Sequence, residues 1–399
     1  MPDFQSSVDR IVPELHAFRH DLHAHPETAY QERRTASKVL EVLRSLGGLQ
    51  IRNGLAGGTG IVATLNADRP GPCVLLRADM DALPIHEQTE LPYRSTIDGV
   101  MHACGHDGHT TCLVGAARVL CAMADRLPGR VKFCFQPAEE NGAGGERIIE
   151  DGALDDPRVD AAFALHGWPD LEVGRVIASS GAVLAAATPF EIVFEGRGGH
   201  AAYPHRSTDV VAAAAQFINN AQHIRTRFID PIAQVVLSFT QISAGDTHNV
   251  MPERCVVKGT VRSLDSQAHA ATQHLLQKFM QNTAASFEIQ AELRFVESYP
   301  VMYNDEACTA LAADVARSVL GEDDVIVEYP PSMGGEDFAF YAQRVPATMF
   351  RVGVKPHGAF EYPGLHNPRY NFADEAVPVG VLMHCAIAHR YLTTHNQQV

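Results

Sequence analysis

The chain has 399 residues, 46% of them hydrophobic and 20% charged, and a formal net charge of −15. This composition excludes a disordered chain and a small disulfide scaffold, and the acidic excess makes nucleic acid and anionic membranes poor partners. The sequence has no apolar run of about 18 residues, which a membrane span would need, and its first residues lack the apolar stretch of a signal peptide. We therefore expect a cytoplasmic protein that binds neither nucleic acid nor membrane.

Predicted helices and strands alternate over the first 180 residues or so. Apolar residues at helical spacing predict helices over 4–23 and 28–46, with Pro13 as a kink or a restart. Continuous apolar runs, typical of strands covered on both faces, predict strands at residues 60–65, 73–79, 130–135 and 161–167. Further helices are predicted near residues 106–126 and 143–150. This alternation favours an α/β fold in which helices flank a central sheet.

The pattern changes near residue 185, where elements follow in the order β-α-β-β-α-β, an order that forms a compact α+β module. These elements are predicted at residues 189–198, 207–227, 234–245, 254–263, 265–285 and 289–298. The chain then returns to a helix, two strands and a closing helix, predicted over 306–320, a short segment, 348–353 and 374–393. We therefore predict a discontinuous α/β catalytic domain, residues 1–184 and 303–399, with an inserted α+β domain over residues 185–302.

The densest set of reactive side chains lies in MHACGHDGHT, residues 101–110, at a predicted helix start. Cys104 and His106 are two residues apart and can point into one space, and thiolate and imidazole are good ligands for Zn²⁺ or Mn²⁺. Gly105 and Gly108 would let the backbone approach a ligand. The alternative is a helix N-terminus whose polar residues serve as caps. The other cysteines are scattered without a CxxC pair, so we expect reduced thiols rather than disulfides.

Further metal-type ligands lie at strand ends or in loops. Glu139 and Glu140 follow the strand predicted over 130–135, and the carboxyl ends of strands are where open α/β sheets place their sites. One carboxylate could bind a metal while the other takes a proton from water. His166 follows another strand, and His366 lies in a loop. Each has an ordinary explanation, an acidic turn or a hydrogen-bonded histidine, but together the four segments indicate a metal centre.

The chain closely resembles the M20 metallopeptidase family, in the subgroup of hippurate hydrolases and plant indole-3-acetyl-amino-acid hydrolases. The resemblance extends from about residue 15 to residue 390, and its motifs stand in family order. They are HDLHAHPE (20–27), RADMDALP (77–84), MHACGHDGHT (101–110), QPAEE (136–140), LHG (165–167), GGHAAYPH (198–205), NVMPE (249–253), GTVRS (259–263), GGEDFAFY (334–341) and LHNPRYNF (365–372).

This resemblance implies a site for two divalent metal ions, with zinc, manganese, nickel and cobalt all compatible with the ligands. Cys104 would be shared between the ions. Glu140 and His366 would complete the ligands of one ion, and His106 and His166 those of the other.

The resemblance also assigns roles around the ions. Glu139 matches the general base, and Asp79 matches the acid that steadies the site from behind the ligands. The inserted domain matches the family's lid, through which we expect a homodimer or homotetramer. His200 of the partner subunit would then reach the reacting carbonyl and stabilise the developing oxyanion.

Four more residues match positions that hold or surround the substrate. Asn249 and Arg262 fall at lid positions that help to hold it. Arg262 would grip its carboxylate, because a planar guanidinium suits a bidentate carboxylate. The alternative for Arg262 is an intramolecular salt bridge. Gly334 and Gly335 would line the cleft wall.

We therefore expect a metal-dependent amidohydrolase that splits N-acyl amino acids, such as hippurate or N-acetyl amino acids, into a carboxylic acid and a free amino acid. One alternative is a dipeptidase or aminopeptidase, in which Glu336 or Asp337 could recognise a free ammonium group. A second is a hydrolase with Cys104 as nucleophile, which would leave the other ligands unused. A third is a non-catalytic binding protein, which the presence of Glu139 disfavours.

Other histidines are given no ligand role. His86 is expected to be exposed, and His102 and His109 to support the ligands rather than bind metal. The resemblance gives a structural role to the histidines that precede Pro26, which are His20, His23 and His25.

Overall fold

Helices and strands alternate through most of the computed structural model, which describes residues 2–296 and 298–396. The helices are α1 Phe4–Asp9, α2 Val12–Ala24, α3 Arg33–Leu46, α4 His106–Cys121, α5 Gly144–Glu150, α6 Val210–His223, α7 Ser266–Ser286, α8 Glu306–Leu320, α9 Ala339–Ala342 and α10 Ala376–His395. The strands are β1 Leu49–Leu55, β2 Gly60–Leu65, β3 Cys73–Asp79, β4 Arg130–Gln136, β5 Ala161–Glu172, β6 Val176–Ile177, β7 Gly181–Leu184, β8 Ala186–Glu195, β9 Gly199–His200, β10 Val235–Ala244, β11 Val250–Met251, β12 Arg254–Ser263, β13 Gln290–Phe295, β14 Met302–Asn304, β15 Val325–Ile326 and β16 Ala347–Lys355.

The described residues form two compact units. The first contains the residues up to Gly181, the segment Tyr303–Pro330 and the residues from Asp337 onward. The second contains Ala182–Met302 and Pro331–Glu336. The second unit therefore begins slightly before the predicted boundary, and it takes in a short segment that the sequence analysis assigned to the first.

The first unit is built on an eight-stranded sheet in the order β1-β2-β4-β3-β5-β16-β6-β15. Strand β3 is parallel to β4 and β5, and β5 is parallel to β16, whereas β1 and β2 are antiparallel at one edge. Every residue of β2 and β3 is buried, as expected of strands that helices cover on both faces. The prediction of a central sheet flanked by helices is confirmed.

Helices α4 and α10 approach each other closely because glycines lie in their contact. A Cβ atom added at Gly115 would lie 2.5 Å from Val381, and one added at Gly380 would lie 2.5 Å from the sulfur of Cys112. Nearly every residue of α4 is buried. Because His106 is the first residue of this helix, tight packing fixes the position of a predicted metal ligand.

Two N-terminal elements differ from their predicted bounds. The helix predicted over 4–23 is two helices, and Pro13 lies in the first turn of the second, where its missing N–H costs little. The helix predicted over 28–46 begins only at α3, because Thr28 forms a β-bridge with Ala82 that holds the preceding segment extended. Strand β1 was not predicted, since most of its residues are exposed and form no continuous apolar run.

The second unit contains an antiparallel sheet in the order β10-β12-β8-β13. Buried residues alternate with exposed or partly buried ones along β12, which is typical of a sheet that packs helices on one face. Helices α6 and α7 pack on this sheet and share an apolar core with it. The predicted order β-α-β-β-α-β is therefore present, and β9 and β11 form a separate, short antiparallel pair in the same unit.

The eight cysteines are all free thiols, as predicted. Seven are buried and Cys121 is partly buried. Among the described helices, none is both long and apolar enough to cross a membrane.

A buried network of ion pairs fastens α2 to the start of α4. Arg19 is fully buried and donates to Asp107 at 2.9 Å and to Asp374 at 2.7 Å. His23 Nδ1 lies 2.9 Å from Asp107, and its Nε2 lies 3.3 Å from Glu87. Although burial by itself lowers the pKa of His23, the two carboxylates outweigh burial and raise that pKa to about 9. The network therefore needs a protonated His23.

This raised pKa predicts a pH-dependent stability. A histidine whose folded pKa exceeds its unfolded value of about 6.5 contributes stability that is complete below pH 6.5 and is lost as the pH rises through about 9. We expect the native protein to lose about 1–3 kcal/mol of stability over this window, and His23→Asn to lose much less. Urea unfolding midpoints measured between pH 6 and pH 9.5 check this.

The control is His86→Asn, because His86 is an exposed histidine that also faces a carboxylate, Asp98. This variant should retain the native pH slope. The assignment would be contradicted if the slope of His23→Asn matched that of the native protein.

Candidate metal centre

The predicted ligands are brought to one edge of the large sheet by the direction of its strands. Strands β3, β4 and β5 are parallel, so the segments that follow β3 and β4 leave the same edge. Asp79 is the last residue of β3, and Glu139 and Glu140 follow the end of β4. His166 lies within β5, which continues beyond its predicted end. Helix α4 begins at this edge with His106.

Two groups of potential ligand atoms lie here, and they share one sulfur. Cys104, His106 and His166 form one group and Cys104, Glu140 and His366 the other, with the ligand atoms of each within 4.8 Å of one another. The Cys104 Sγ lies 3.5 Å from His166 Nε2, and His366 Nε2 lies 3.2 Å from Glu140 Oε1. The structure therefore brings the five predicted ligands together in the first unit.

Several of these ligand atoms are buried with lone pairs that a bound cation could use. Both ring nitrogens of His106 and the Oε1 atom of Glu140 are buried, and among the described residues none of the three makes a well-aligned hydrogen bond, a rare condition for buried polar atoms. Asp81 and His366 lie near them, at 3.4 Å from His106 Nδ1 and 3.2 Å from Glu140 Oε1, without bonding geometry. His166 Nδ1 lies 2.8 Å from the carbonyl oxygen of Gly167 and donates to it, so its Nε2 lone pair faces Cys104. A sulfur, imidazole and carboxylate set fits a divalent transition metal.

Asp79 and His109 form a second layer behind these ligands. Asp79 is fully buried and accepts hydrogen bonds from Arg77 Nη1 at 2.6 Å and from His109 Nδ1 at 2.7 Å. Burial alone would raise the pKa of Asp79, but His106, Arg77 and His109 hold it well below its usual range. His109 Nε2 accepts from the Gly167 N–H at 2.9 Å. Both nitrogens of His109 are thus occupied, so it supports the site and cannot bind metal in this arrangement.

Asp81 is a site residue that the sequence analysis did not single out. Its two carboxylate oxygens accept the backbone N–H groups of Glu139, at 2.9 Å, and Glu140, at 3.0 Å. Its Oδ1 atom also lies 3.4 Å from His106 Nδ1. The available signal was its place two residues after Asp79, since alternate residues at a strand end point to the same side.

An aromatic ring explains the glycines of the site. A Cβ atom added at Gly108 would lie 2.3 Å from Phe372, and one added at Gly167 would lie 2.8 Å from the same ring. Gly105 has a φ of 86°, a left-handed conformation that favours glycine, and it too lies against Phe372. The glycines therefore make room for a ring that packs under the ligand-bearing segments.

Asp337 lies beside Glu139, and both of its carboxylate oxygens already accept hydrogen bonds from other neighbours. It accepts from Arg77 Nη2 at 2.7 Å, from Gln136 Nε2 at 2.8 Å and from the Gly145 N–H at 2.7 Å. Burial raises the pKa of Asp337 to about 6. This carboxylate is engaged on both oxygens, so it is poorly placed to recognise the ammonium group of a peptide.

The second unit brings its predicted residues together in two places. His200 is exposed and pairs with Val250 in the β9–β11 ribbon, next to Asn249, whose carbonyl oxygen accepts the Ala201 N–H at 3.0 Å. His200 Nδ1 accepts from the Ala202 N–H at 3.1 Å, so in a neutral ring the proton lies on Nε2. That nitrogen is a hydrogen-bond donor.

The second of these two places contains Arg262, Gly334 and Gly335. Its Nη1 donates to the carbonyl oxygen of Met333 at 2.7 Å, directly before Gly334 in the chain. The Gly334 carbonyl oxygen accepts from the Ala185 N–H at 2.9 Å. A Cβ atom added at Gly335 would lie 3.1 Å from Ala187, so this segment lies close to the start of β8.

The remaining histidines stay outside the ligand groups. The His86 side chain is 71% exposed, in line with its expectation. Among the described residues, neither ring nitrogen of the buried His102 has a hydrogen-bond partner, and burial lowers its pKa to about 4. Each of the three histidines before Pro26 bonds within the fold: His20 to Asp374, His23 to Asp107, and His25 to Asp21.

A comparison with protein-family models matches residues 75–390 to peptidase family M20/M25/M40. The chain therefore belongs to this family, as the sequence motifs indicated, and it is a hydrolase. An N-acyl-L-amino acid amidohydrolase of Geobacillus stearothermophilus is 40% identical over 78% of this chain and 84% of its own length. An N-acetylcysteine deacetylase of Bacillus subtilis is 38% identical over 90% of this chain and 92% of its own.

A solved structure has the same fold. It is a dinuclear metal binding peptidase from the M20 family of Bacillus subtilis, 33% identical, with a TM-score of 0.82 over 97% of this chain and 99% of that one.

The packing against Phe372 predicts that Gly108→Ala is destabilising. Its new methyl group would overlap the ring, and we expect a loss of about 1–3 kcal/mol together with a lower thermal unfolding midpoint. Gly364→Ala is the matched control, because no heavy atom lies within 4 Å of its added Cβ. Adding Phe372→Leu to Gly108→Ala should recover part of the loss. Equal midpoints for the two single variants would refute the packing argument.

Proposed function

We propose that this protein is a metal-dependent amidohydrolase that cleaves N-acyl amino acids into a carboxylic acid and a free amino acid. The proposal rests above all on Cys104, whose sulfur belongs to two groups of ligand atoms with Glu139 beside them. Relatives named as an N-acetylcysteine deacetylase and an N-acyl-L-amino acid amidohydrolase support acylated amino acids as the substrate class.

Two divalent ions fit the ligand set of the first unit. Glu140, His366 and Cys104 would hold one ion, and His106, His166 and Cys104 the other, with zinc, manganese, cobalt and nickel all compatible. The solved relative named as a dinuclear metal binding peptidase supports this number. When bound, such ions polarise the amide carbonyl and lower the pKa of a water molecule.

We assign the proton transfer to Glu139. Its carboxylate is buried, within reach of His106 and Glu140, and its Oε1 lies 3.4 Å from the Asp337 N–H. It would take a proton from the attacking water and pass it to the leaving nitrogen, because amide cleavage requires both transfers. The two N–H bonds to Asp81 keep its backbone in place during this exchange.

We assign substrate contacts to the second unit. His200 would donate from Nε2 to the oxygen that gains negative charge. Asn249 and Arg262 would help to hold the substrate, with Arg262 gripping its carboxylate, and Gly334 and Gly335 would line the wall. His200 is exposed in a single copy, which is consistent with its acting from a partner subunit. Strand β10 is an edge strand of its sheet and most of its length is exposed or partly exposed, and the unpaired backbone groups of such an edge can pair with another chain.

The alternatives have weaker support. A dipeptidase would need a carboxylate for the substrate ammonium, and of the two candidates, Glu336 and Asp337, Asp337 is already engaged on both oxygens. A cysteine nucleophile needs a lowered thiol pKa, whereas burial and the nearby carboxylates Glu140 and Glu139 raise that of Cys104 well above its usual range. A purely binding role would leave the buried Glu139 without a task.

A substrate panel tests the proposal. We expect amine release from hippurate and N-acetyl amino acids, little from an unblocked dipeptide, and loss of activity in a chelator. Zinc, manganese, cobalt or nickel should restore activity, because they would replace the cations that the chelator removes. Preference for the dipeptide would favour a peptidase, and activity that persists after verified metal removal would refute the metal-dependent mechanism.

The general-base assignment has its own test. Glu139→Gln should retain the metals but lower kcat by about 10²–10⁴-fold, since the amide cannot accept the proton. Metal analysis and steady-state kinetics measure the two effects separately. Glu146→Gln, at an exposed acid on α5, is the control and should retain native kcat. A Glu139→Gln enzyme with ordinary kcat would exclude Glu139 as the base.

A further inference from the structure

An N-terminal segment lies against both loops that carry the acids of the site. We call residues 27–32 the N-terminal brace. Thr28 forms a parallel β-bridge with Ala82, and the Ala82 N–H donates to the Glu27 carbonyl oxygen at 2.8 Å. Ala82 directly follows Asp81, whose carboxylate holds the Glu139 and Glu140 N–H groups. The brace therefore contacts the loop from which Asp81 acts.

The last residue of the brace reaches the loop that carries the general base. Glu32 is completely buried, and its Oε1 accepts the Ala138 N–H at 2.9 Å and the Tyr30 N–H at 3.0 Å. Its Oε2 accepts from Thr59 Oγ1 at 2.9 Å. Two buried carboxylates, Glu32 and Asp81, thus accept three consecutive backbone N–H groups, at positions 138, 139 and 140.

Tyr30 holds the far end of the same loop. Its hydroxyl donates to the carbonyl oxygen of Gly142, and a Cβ atom added at Gly142 would lie 2.5 Å from the Tyr30 ring. The brace thus contacts the loop on both sides of the glutamate pair.

The loop has a reason to need such contacts. Ala138 has a φ of 55°, a left-handed conformation that a residue with a Cβ atom rarely adopts. Its N–H is buried, and without an acceptor it would be left unpaired. Relaxation of Ala138 toward an ordinary conformation would turn the next residue, Glu139.

We propose that Glu32 is a positioning residue for Glu139, acting through its hydrogen bond to the Ala138 N–H. The inference rests on the proposed function for its kinetic consequence, but its structural part does not. Burial, helped by the nearby Asp81 carboxylate, raises the pKa of Glu32 to about 7. A protonated carboxyl group still offers a carbonyl oxygen to the Ala138 N–H, so this hydrogen bond forms in both protonation states of Glu32. For the same reason, a glutamine side chain at position 32 should make the same hydrogen bond.

The chain offers a matched comparison within the brace. Glu27 also accepts two backbone N–H groups, those of Arg34 at 2.9 Å and Thr35 at 2.8 Å, but they belong to the first turn of α3 and not to the catalytic loop. Glu27→Met and Glu32→Met therefore each remove a carboxylate that binds backbone, at similar size. Glu32→Gln retains the acceptor for Ala138 and its shape.

The experiment measures kcat, KM, bound metal and amide hydrogen exchange of the 136–142 segment in the metal-loaded enzyme. In Glu32→Met we expect kcat to fall about 10- to 100-fold, KM and metal content to stay near native values, and exchange in this segment to rise. Glu32→Gln should stay within about threefold of native kcat, since it retains the hydrogen bond. Glu27→Met should lower the thermal midpoint and leave kcat unchanged.

Native kcat or native exchange in Glu32→Met would overturn the proposal, as would a Glu32→Gln enzyme as impaired as Glu32→Met. If Glu32→Met does not fold, Glu32→Asp takes its place, because its shorter side chain retains the charge but falls short of Ala138, and the same expectations apply. A native enzyme that cleaves no N-acyl amino acid would refute the proposed function alone. Hydrogen exchange would still decide whether Glu32 holds the loop.

Discussion

Buried negative charge at one edge of the large sheet is the constraint on which the rest of the site depends. Asp79, Asp81, Glu139 and Asp337 are all buried there, and removing carboxylates from water is costly unless they are paired. One guanidinium group, that of Arg77, forms ion pairs with both Asp79 and Asp337. Backbone N–H groups pair with the Asp81 carboxylate. The carboxylates that lie near the Cys104 sulfur and the imidazoles still outnumber the positive charges, and divalent cations bound there would offset the cost of burying them.

The same constraint explains which features the sequence predicted. Parallel strands bring their carboxyl ends to one edge, so a thiol, imidazoles and carboxylates at several strand ends or in loops indicate a single centre from the sequence alone. The family motifs then gave each residue its expected role. Both inferences use residues whose type alone indicates that they can bind a metal ion, such as Cys104, His106 and Glu140.

Two residues that the sequence analysis missed, Asp81 and Glu32, differ from these in what they bind. Their partners are backbone N–H groups, and every residue except proline has one, so no residue type marks the partner. The place of Asp81 two residues after Asp79 indicated a shared side of the chain, but not what its carboxylate binds. Glu32 was hidden further by its place in a segment predicted as helix, which a β-bridge at Thr28 instead holds extended. The backbone contacts of such side chains are therefore identified only once the fold is known.

The loop between β4 and α5 shows what the hydrogen bonds between backbone N–H groups and buried carboxylates contribute to the site. Ala138 and Ala143 have left-handed φ values of 55° and 49°, and each such conformation costs about 1–3 kcal/mol. A hydrogen bond to a charged group contributes about 1.5–3 kcal/mol, so the bonds that backbone N–H groups donate to Asp81 and Glu32 can offset this strain. Glycine would remove the strain but widen the range of loop conformations. Alanine held by buried carboxylates leaves the loop one conformation, and with it one position for the carboxylate of Glu139.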